Sequence, residues 1–271
     1  MSSLAAVSAA VERLWPLAGA ESWDSPGLVL GDPEQPVRHV HLAVDAVLDT
    51  VDEAVALGAD LLLTHHPLLF RGVTTLAGDT TKGAVVARLQ RAGCALLAAH
   101  TNADVVPTGT SRVLAHQLGL VDQSPITAGA LPGTGLGVVG RLPRPTSLVA
   151  LARQLGDVLP PTASGVRVAG DADRVVETVA LCAGAGDSLL DHPAVRAADV
   201  YVTSDLRHHP ASDARDLMRL GHGPALVDVS HWASEWLWLD TAAEQLRCEL
   251  DDVEVTLSDL RTDPWDFAVV Q

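Results

Sequence analysis

The chain has 271 residues, 48% of them hydrophobic, with 18 Lys and Arg against 34 Asp and Glu for a formal net charge of −16. That size supports a substantial core in one large or two smaller domains, and that composition excludes a disordered chain. The acidity argues against nucleic acid and anionic membrane surfaces as partners, because both repel a negative surface.

The first element is an amphipathic helix stopped by Pro16; it lacks the basic start of a signal peptide and carries Glu12 and Arg13 inside its apolar stretch. A strand over 37–44, a helix over 47–57 ending at Gly58 and a short apolar strand over 60–64 follow. Next come a helix over 81–91 closed by Gly93, a strand over 94–99 and a helix over 110–118 closed by Gly119. This β-α-β-α order predicts a mostly parallel, helix-covered sheet. The stretch 122–145 is rich in Pro and Gly and reads as a boundary, with a strand over 136–142. A second α/β set comprises a helix over 147–155, strands over 166–168, 175–182 and 199–203, a helix over 211–220 and a strand over 225–229. One long helix over 231–250 and a strand over 253–258 complete the pattern. No apolar run approaches about 18 residues, so no transmembrane helix is expected. Cys94, Cys182 and Cys248 are odd in number, far apart and without a C-x-x-C. That predicts buried, inert thiols in a reducing cytoplasm rather than disulfides or a thiolate zinc site.

Three polar clusters stand where a strand gives way to a loop or helix. Thr64-His65-His66-Pro67 leaves the strand over 60–64; neutral imidazole is a common metal ligand, and adjacent histidines can address two neighbouring ions. For the His-His pair alone, a solvated or hydrogen-bonded pair is the alternative. His100-Thr101-Asn102-Ala103-Asp104 follows the strand over 94–99 and suits mixed nitrogen and oxygen coordination, although Asp104 alone also fits a turn or helix cap. His231-Trp232-Ala233-Ser234-Glu235 follows the strand over 225–229, with His231 and Glu235 one helical turn apart and Asp228 close by. Ligand sites in open α/β sheets form beyond strand carboxyl ends, so such a sheet can gather these clusters. His65, His66, Asp104, His231 and Glu235 then form a thiolate-free donor set suited to two Zn, Fe, Mn, Co or Ni ions, with a position left open for chemistry. Other patterns are weaker. Gly135-Leu136-Gly137-Val138-Val139-Gly140 matches G-x-G-x-x-G but runs into a strand, so it fails the dinucleotide context. Gly184-Ala185-Gly186-Asp187-Ser188 is either an anion cradle or a tight turn. Asp205, His208 and His209 either line the same cleft or cap a helix.

The sequence resembles the Nif-three-like dinuclear-metal hexameric proteins, also called GTP cyclohydrolase 1 type 2 homologues. The resemblance runs through Glu21-Ser22-Trp23-Asp24-Ser25-Pro26-Gly27-Leu28, DLLLTHHPLLF at 60–70, HTNAD at 100–104, CAGAGDSLL at 182–190, TSDLRHH at 203–209, VDVSHWASE at 227–235 and Thr262-Asp263-Pro264-Trp265. It implies a two-metal centre at His65, His66, Asp104, His231 and Glu235, with Glu235 bridging both ions, and a ring of six subunits. It also implies two α/β domains, 1–125 plus 229–271 and 126–228, with mostly parallel or mixed sheets and the metal site at strand C-terminal ends in the cleft between them. The insertion some relatives carry between the halves is absent. The expected function is metal-dependent hydrolysis of a small anionic substrate, with imidazole-ring opening of GTP as the first candidate and Asp205 and His209 as auxiliary proton-transfer groups. The alternative is a non-catalytic metal-binding or scaffold protein.

Overall fold

The apolar run at the centre of the first α/β set becomes the strand Leu61–Thr64, all four residues of which are fully buried. A strand covered on both faces needs no polar alternation, which is why it is continuously apolar. It sits in the middle of a five-stranded sheet ordered Glu254–Leu257, His39–Ala43, Leu61–Thr64, Ala95–Ala98, Gly27–Leu30. The first four strands are mutually parallel and Gly27–Leu30 adds antiparallel to Ala95–Ala98. Ala43 pairs with Thr64 and Thr64 with Ala98, so these parallel strands end in line and the residues after them emerge along one edge. Helices Leu48–Ala56 and Thr81–Ala92 cover one face, where Val51, Ala54, Val85 and Leu89 pack with Leu62 and Leu96. The computed structural model describes residues 1–269.

Contacts divide the chain into two units. The first is Met1–Val106 with Leu239–Thr262; the second is Pro107–Trp238 with the residues from Asp263 onward. The Pro- and Gly-rich stretch 122–145 lies inside the second unit. The sheet of this unit has six strands, ordered Arg167–Ala169, Ala225–Val229, Val200–Ser204, Val175–Ala185, Val138–Ser147, Val121–Ser124. Its three central strands of that order from Ala225–Val229 to Val175–Ala185 are parallel and the outer pairings are antiparallel, so the sheet is mixed. Ala180, Tyr201 and Leu226 from the parallel strands pack with Val195 and Ala214 in its core.

Two local expectations are corrected. The long C-terminal helix is two helices, His231–Trp236 and Trp238–Glu249. The interruption is confined to Leu237, whose φ of −59° and ψ of −25° stay in the right-handed helical region, so no Gly or Pro marks it. Cys248 is exposed, because it falls on the outer side of the last turn of the second helix, whereas Cys94 and Cys182 are buried. Burial pushes the Cys94 thiol up to about 11, which keeps it an unreactive thiol. Among the described residues no helix is long and apolar enough to cross a membrane.

Asp199 shows how a carboxylate secures the second sheet. It accepts hydrogen bonds from the Glu177 N–H at 2.9 Å, the Thr178 N–H at 2.8 Å and the Thr178 hydroxyl at 3.0 Å. Burial pushes its pKa up, but these donors outweigh burial and hold it below the ordinary carboxylate value. A depressed folded-state pKa stabilises the fold above the unfolded pKa, and that stabilisation is lost as pH falls through the folded value. Asp199→Asn should therefore cost about 1 kcal/mol at neutral pH in urea unfolding, and the gap from wild type should close below about pH 4.

Candidate metal centre

In the first unit, His65 and His66 follow directly from Leu61–Thr64, held in extended pairing by His65 N–H to Ala43 O at 3.1 Å and His66 N–H to Val44 O at 2.8 Å. His100 and the short helix Thr101–Asp104 follow the neighbouring strand Ala95–Ala98. The aligned strand ends thus place His65, His66 and His100 so that one ring nitrogen of each lies within 4.8 Å of the other two. His65 Nε2 also stands 3.6 Å from the buried carboxylate of Asp104. His100 is the residue that sequence reasoning left out of the ligand set, although it opens the HTNAD cluster.

Each of these imidazoles is oriented through its other nitrogen. His65 Nδ1 meets the carbonyl of Ala99 at 2.9 Å, His66 Nδ1 meets Asp45 at 2.7 Å and His100 Nδ1 meets Asp24 at 2.8 Å. A carbonyl or an ionised carboxylate only accepts, so Nδ1 carries the proton and Nε2 the lone pair. This is the arrangement that outer oxygen partners impose on metal-ligating histidines. The partners are themselves fixed. The Asp24 side chain is buried and accepts from Thr101 N–H at 3.0 Å and the Thr101 hydroxyl at 2.5 Å. Burial raises the pKa of Asp24, but His100 and Thr101 outweigh it and bring it down to about 2. Asp45 accepts from the Thr262 hydroxyl at 2.5 Å.

In the second unit, Ser230 caps the helix His231–Trp236 by accepting from the Ala233 N–H, and its own hydroxyl donates to Asp263 at 2.6 Å. One turn apart on that helix, His231 Nε2 and Glu235 Oε1 are 3.1 Å from each other, and Glu235 is 3% exposed. His231 Nδ1 meets Asp205 at 2.6 Å. Asp205 holds a positive φ of 55°, in the left-handed region that Asp enters more readily than most non-glycine residues. Burial lowers the pKa of His231, but Glu235 and Asp205 outweigh it and raise it well above the ordinary histidine value. The His231–Glu235 environment therefore favours a positive charge, which a proton or a metal ion supplies. Gly184, at φ 74°, ends the approach: a Cβ there would lie 2.3 Å from Glu235 Oε1 and 3.2 Å from His231 Nε2. The GAGDS stretch thus serves close approach to the His–Glu pair. Asp228 is engaged elsewhere, by Arg167 and the Leu206 N–H. His209 is exposed at the start of the helix His208–Arg219, beside the ring of His208.

Residues 2–264 match the model of the Duf34/NIF3 (NGG1p interacting factor 3) family. The chain belongs to this family. A Streptomyces coelicolor relative named GTP cyclohydrolase 1 type 2 homolog is 47% identical over 273 residues, covering 98% of this chain and 94% of its own. A Mycobacterium leprae protein of the same name is 35% identical over 372 residues, covering 97% of this chain and 95% of its own. That alignment is longer than the 271 residues here, so the relative carries residues without a counterpart in this NIF3-family chain. Among solved structures, a Staphylococcus aureus hypothetical protein superposes with a TM-score of 0.88 at 27% identity, covering 98% of this chain and 99% of its own. A Bacillus cereus protein related to NIF3 superposes at 0.86 with 25% identity, covering 98% of this chain and 99% of its own. The mixed α/β fold is therefore that of the NIF3 family, and the histidine and glutamate groups described above are metal-capable donors within it.

Proposed function

We propose that this NIF3-family chain holds two divalent transition-metal ions with His65, His66, Asp104, His231 and Glu235, Glu235 bridging both, in a ring of six subunits, and that it is a metal-dependent hydrolase of the kind its relatives' name describes. The observation that carries the metal assignment is the set of outer partners: each histidine of the set donates Nδ1–H to an oxygen and so presents Nε2. A thiolate-free nitrogen and oxygen set favours Zn, Mn, Fe, Co or Ni and an open coordination position. Bound divalent cations supply Lewis acidity and an activated water for hydrolysis near neutral pH. Around them, His65, His66 and His231 bind and Asp45 and Asp205 hold rings in the coordinating tautomer. Asp205, fixed on His231 Nδ1, is thus assigned to orientation, and the exposed His209 is the candidate for carrying a proton to solvent.

Elemental analysis of the purified protein should find about two transition-metal ions per chain, the complement of a two-metal site. His66→Ala should remove at least one of them. Protein loaded with Mn, Zn or Fe is then offered GTP, phosphoesters and amides, and native mass spectrometry counts the subunits. Full metal retention in His66→Ala would overturn the ligand assignment. Metal binding without turnover of any of these substrates would leave a metal-binding or scaffold protein and sink the hydrolase.

A further inference from the structure

Two exposed aromatic side chains stand against the histidine cluster of the first unit. The chain has only 6 Trp, 2 Phe and 1 Tyr. Trp23 is 57% exposed and Phe70 41% exposed, and their ring centroids are 5.6 Å apart. Both rings also meet His100, at 6.2 Å from Trp23 and 6.0 Å from Phe70. The three rings are close to mutually perpendicular, with interplanar angles of 71°, 77° and 85°. They make an aromatic corner whose inner wall, His100, lies 5.2 Å from the ring of His65 and 5.5 Å from that of His66.

The turn that carries Trp23 is pinned, which separates it from an incidental surface tryptophan. The side chain of Asp24, the next residue, is buried and bonded to His100 and Thr101, its carboxylate also accepts the Ser25 N–H at 2.7 Å, and the Glu21 N–H donates to the Thr101 hydroxyl at 3.0 Å. The backbone on both sides of Trp23 is therefore fixed to the loop that bears His100, while the indole itself is left facing water. An exposed indole on an ordered backbone loses little further entropy when a ligand stacks on it. Aromatic faces beside a polar cluster also suit a ligand with one flat apolar part and one reactive polar part.

We propose that Trp23 and Phe70 seat a planar heteroaromatic ring of the substrate, placing that ring next to the metal-capable imidazoles. The inference rests on the metal-dependent hydrolase proposed above and assigns the residues that seat the ring of its substrate. Aromatic corners also attract organic cations, but a divalent ion on the neighbouring imidazoles repels them, so the ring is neutral and the molecule neutral or anionic.

Binding, read without turnover, tests this. Zinc-loaded protein is titrated with GMP, AMP and UMP and with ribose 5-phosphate, which shares their sugar and phosphate and lacks the ring. Saturation-transfer NMR reports which ligand protons touch the protein. At least one nucleotide should bind more tightly than ribose 5-phosphate, with saturation strongest on its ring protons. Trp23→Ala should weaken it about tenfold, Phe70→Ala should weaken it less, and Trp23→Phe should retain most of the affinity. The zinc content of each variant should equal that of wild type. Equal binding of nucleotides and ribose 5-phosphate, no binding of any nucleotide, or wild-type affinity in Trp23→Ala would overturn the proposal. A change in subunit number in Trp23→Ala would also overturn it, by making the corner a contact between copies. Ring-dependent binding with no hydrolysis of any substrate would retain the seat and remove the hydrolase reading.

Discussion

Gly184→Ala should empty the proposed metal site more completely than loss of a single ligand does. The position has a φ of 74°, where an L side chain costs about 1–2 kcal/mol in strain. The added methyl also has no room, because it would stand 2.3 Å from Glu235 Oε1 and 3.3 Å from Glu235 Cδ. Neither side can yield cheaply. The Gly184 N–H donates to Ser234 Oγ at 2.9 Å, its carbonyl accepts the Thr203 hydroxyl at 3.1 Å, and Glu235 is 3% exposed. The response is displacement of the carboxylate and of His231 Nε2, which the same methyl would meet at 3.2 Å. If Glu235 bridges both ions, moving it removes the shared ligand. Elemental analysis should then fall from about two ions per chain to below about one, while the circular dichroism spectrum keeps its α/β form. Wild-type metal content in Gly184→Ala would show that the carboxylate is not a ligand in its present position.

The pieces of this site differ in how far the sequence reveals them, and locality is the reason. His65 and His66 are visible because an unbroken apolar run before them marks a buried strand, and its end is a place where ligand sites form. His231 and Glu235 are visible because an i, i+4 spacing after a strand puts them on one helix face. The partners that orient the histidines are a tertiary matter: Asp24 is 76 residues from His100, Asp45 is 21 from His66 and Asp205 is 26 from His231. No periodicity encodes such pairings. The strand Gly27–Leu30 escapes notice for a related reason. It is four residues long, shows no alternation and has an exposed Leu28, so only its pairing with Ala95–Ala98 defines it. The break at Leu237 carries no helix-breaking residue, and it falls beside the point where the chain passes from the second unit to the first after Trp238. The antiparallel outer strands of the second sheet likewise look like any other strand in sequence, since direction is set by connections and not by composition.

Glu53→Ala should destabilise the first unit by about 2 kcal/mol, the cost of leaving the buried His41 N–H without its charged acceptor. Glu53 lies on the helix Leu48–Ala56, and its Oε2 accepts from His41 Nε2 at 3.0 Å and from the Ser258 hydroxyl at 2.5 Å. His41 is fully buried. With its Nε2 proton given to Glu53, its Nδ1 accepts the Thr256 hydroxyl at 2.9 Å, and that hydroxyl oxygen accepts His39 Nε2 at 2.7 Å. One carboxylate thus sets the direction of a chain of bonds that ties the edge strand Glu254–Leu257 to His39–Ala43. Alanine leaves the N–H of the fully buried His41 without that acceptor. Glu53→Gln keeps an accepting oxygen and should cost only about 1 kcal/mol. The loss should show first as faster hydrogen exchange at the Glu254 and Ser258 amides, which donate to Arg38 O at 2.7 Å and Leu42 O at 2.8 Å. It should also reach the histidines. Four residues beyond Ser258, the Thr262 hydroxyl holds Asp45, and Asp45 holds His66. A loosened C-terminal strand frees Thr262 and lets the His66 ring turn, so metal affinity should drop by about tenfold in Glu53→Ala, the size of effect that outer partners of metal ligands exert. Thr262→Val should give the same loss of affinity with little change in unfolding free energy. If Thr262→Val binds metal as wild type does, the path from Glu53 to His66 does not run through Asp45.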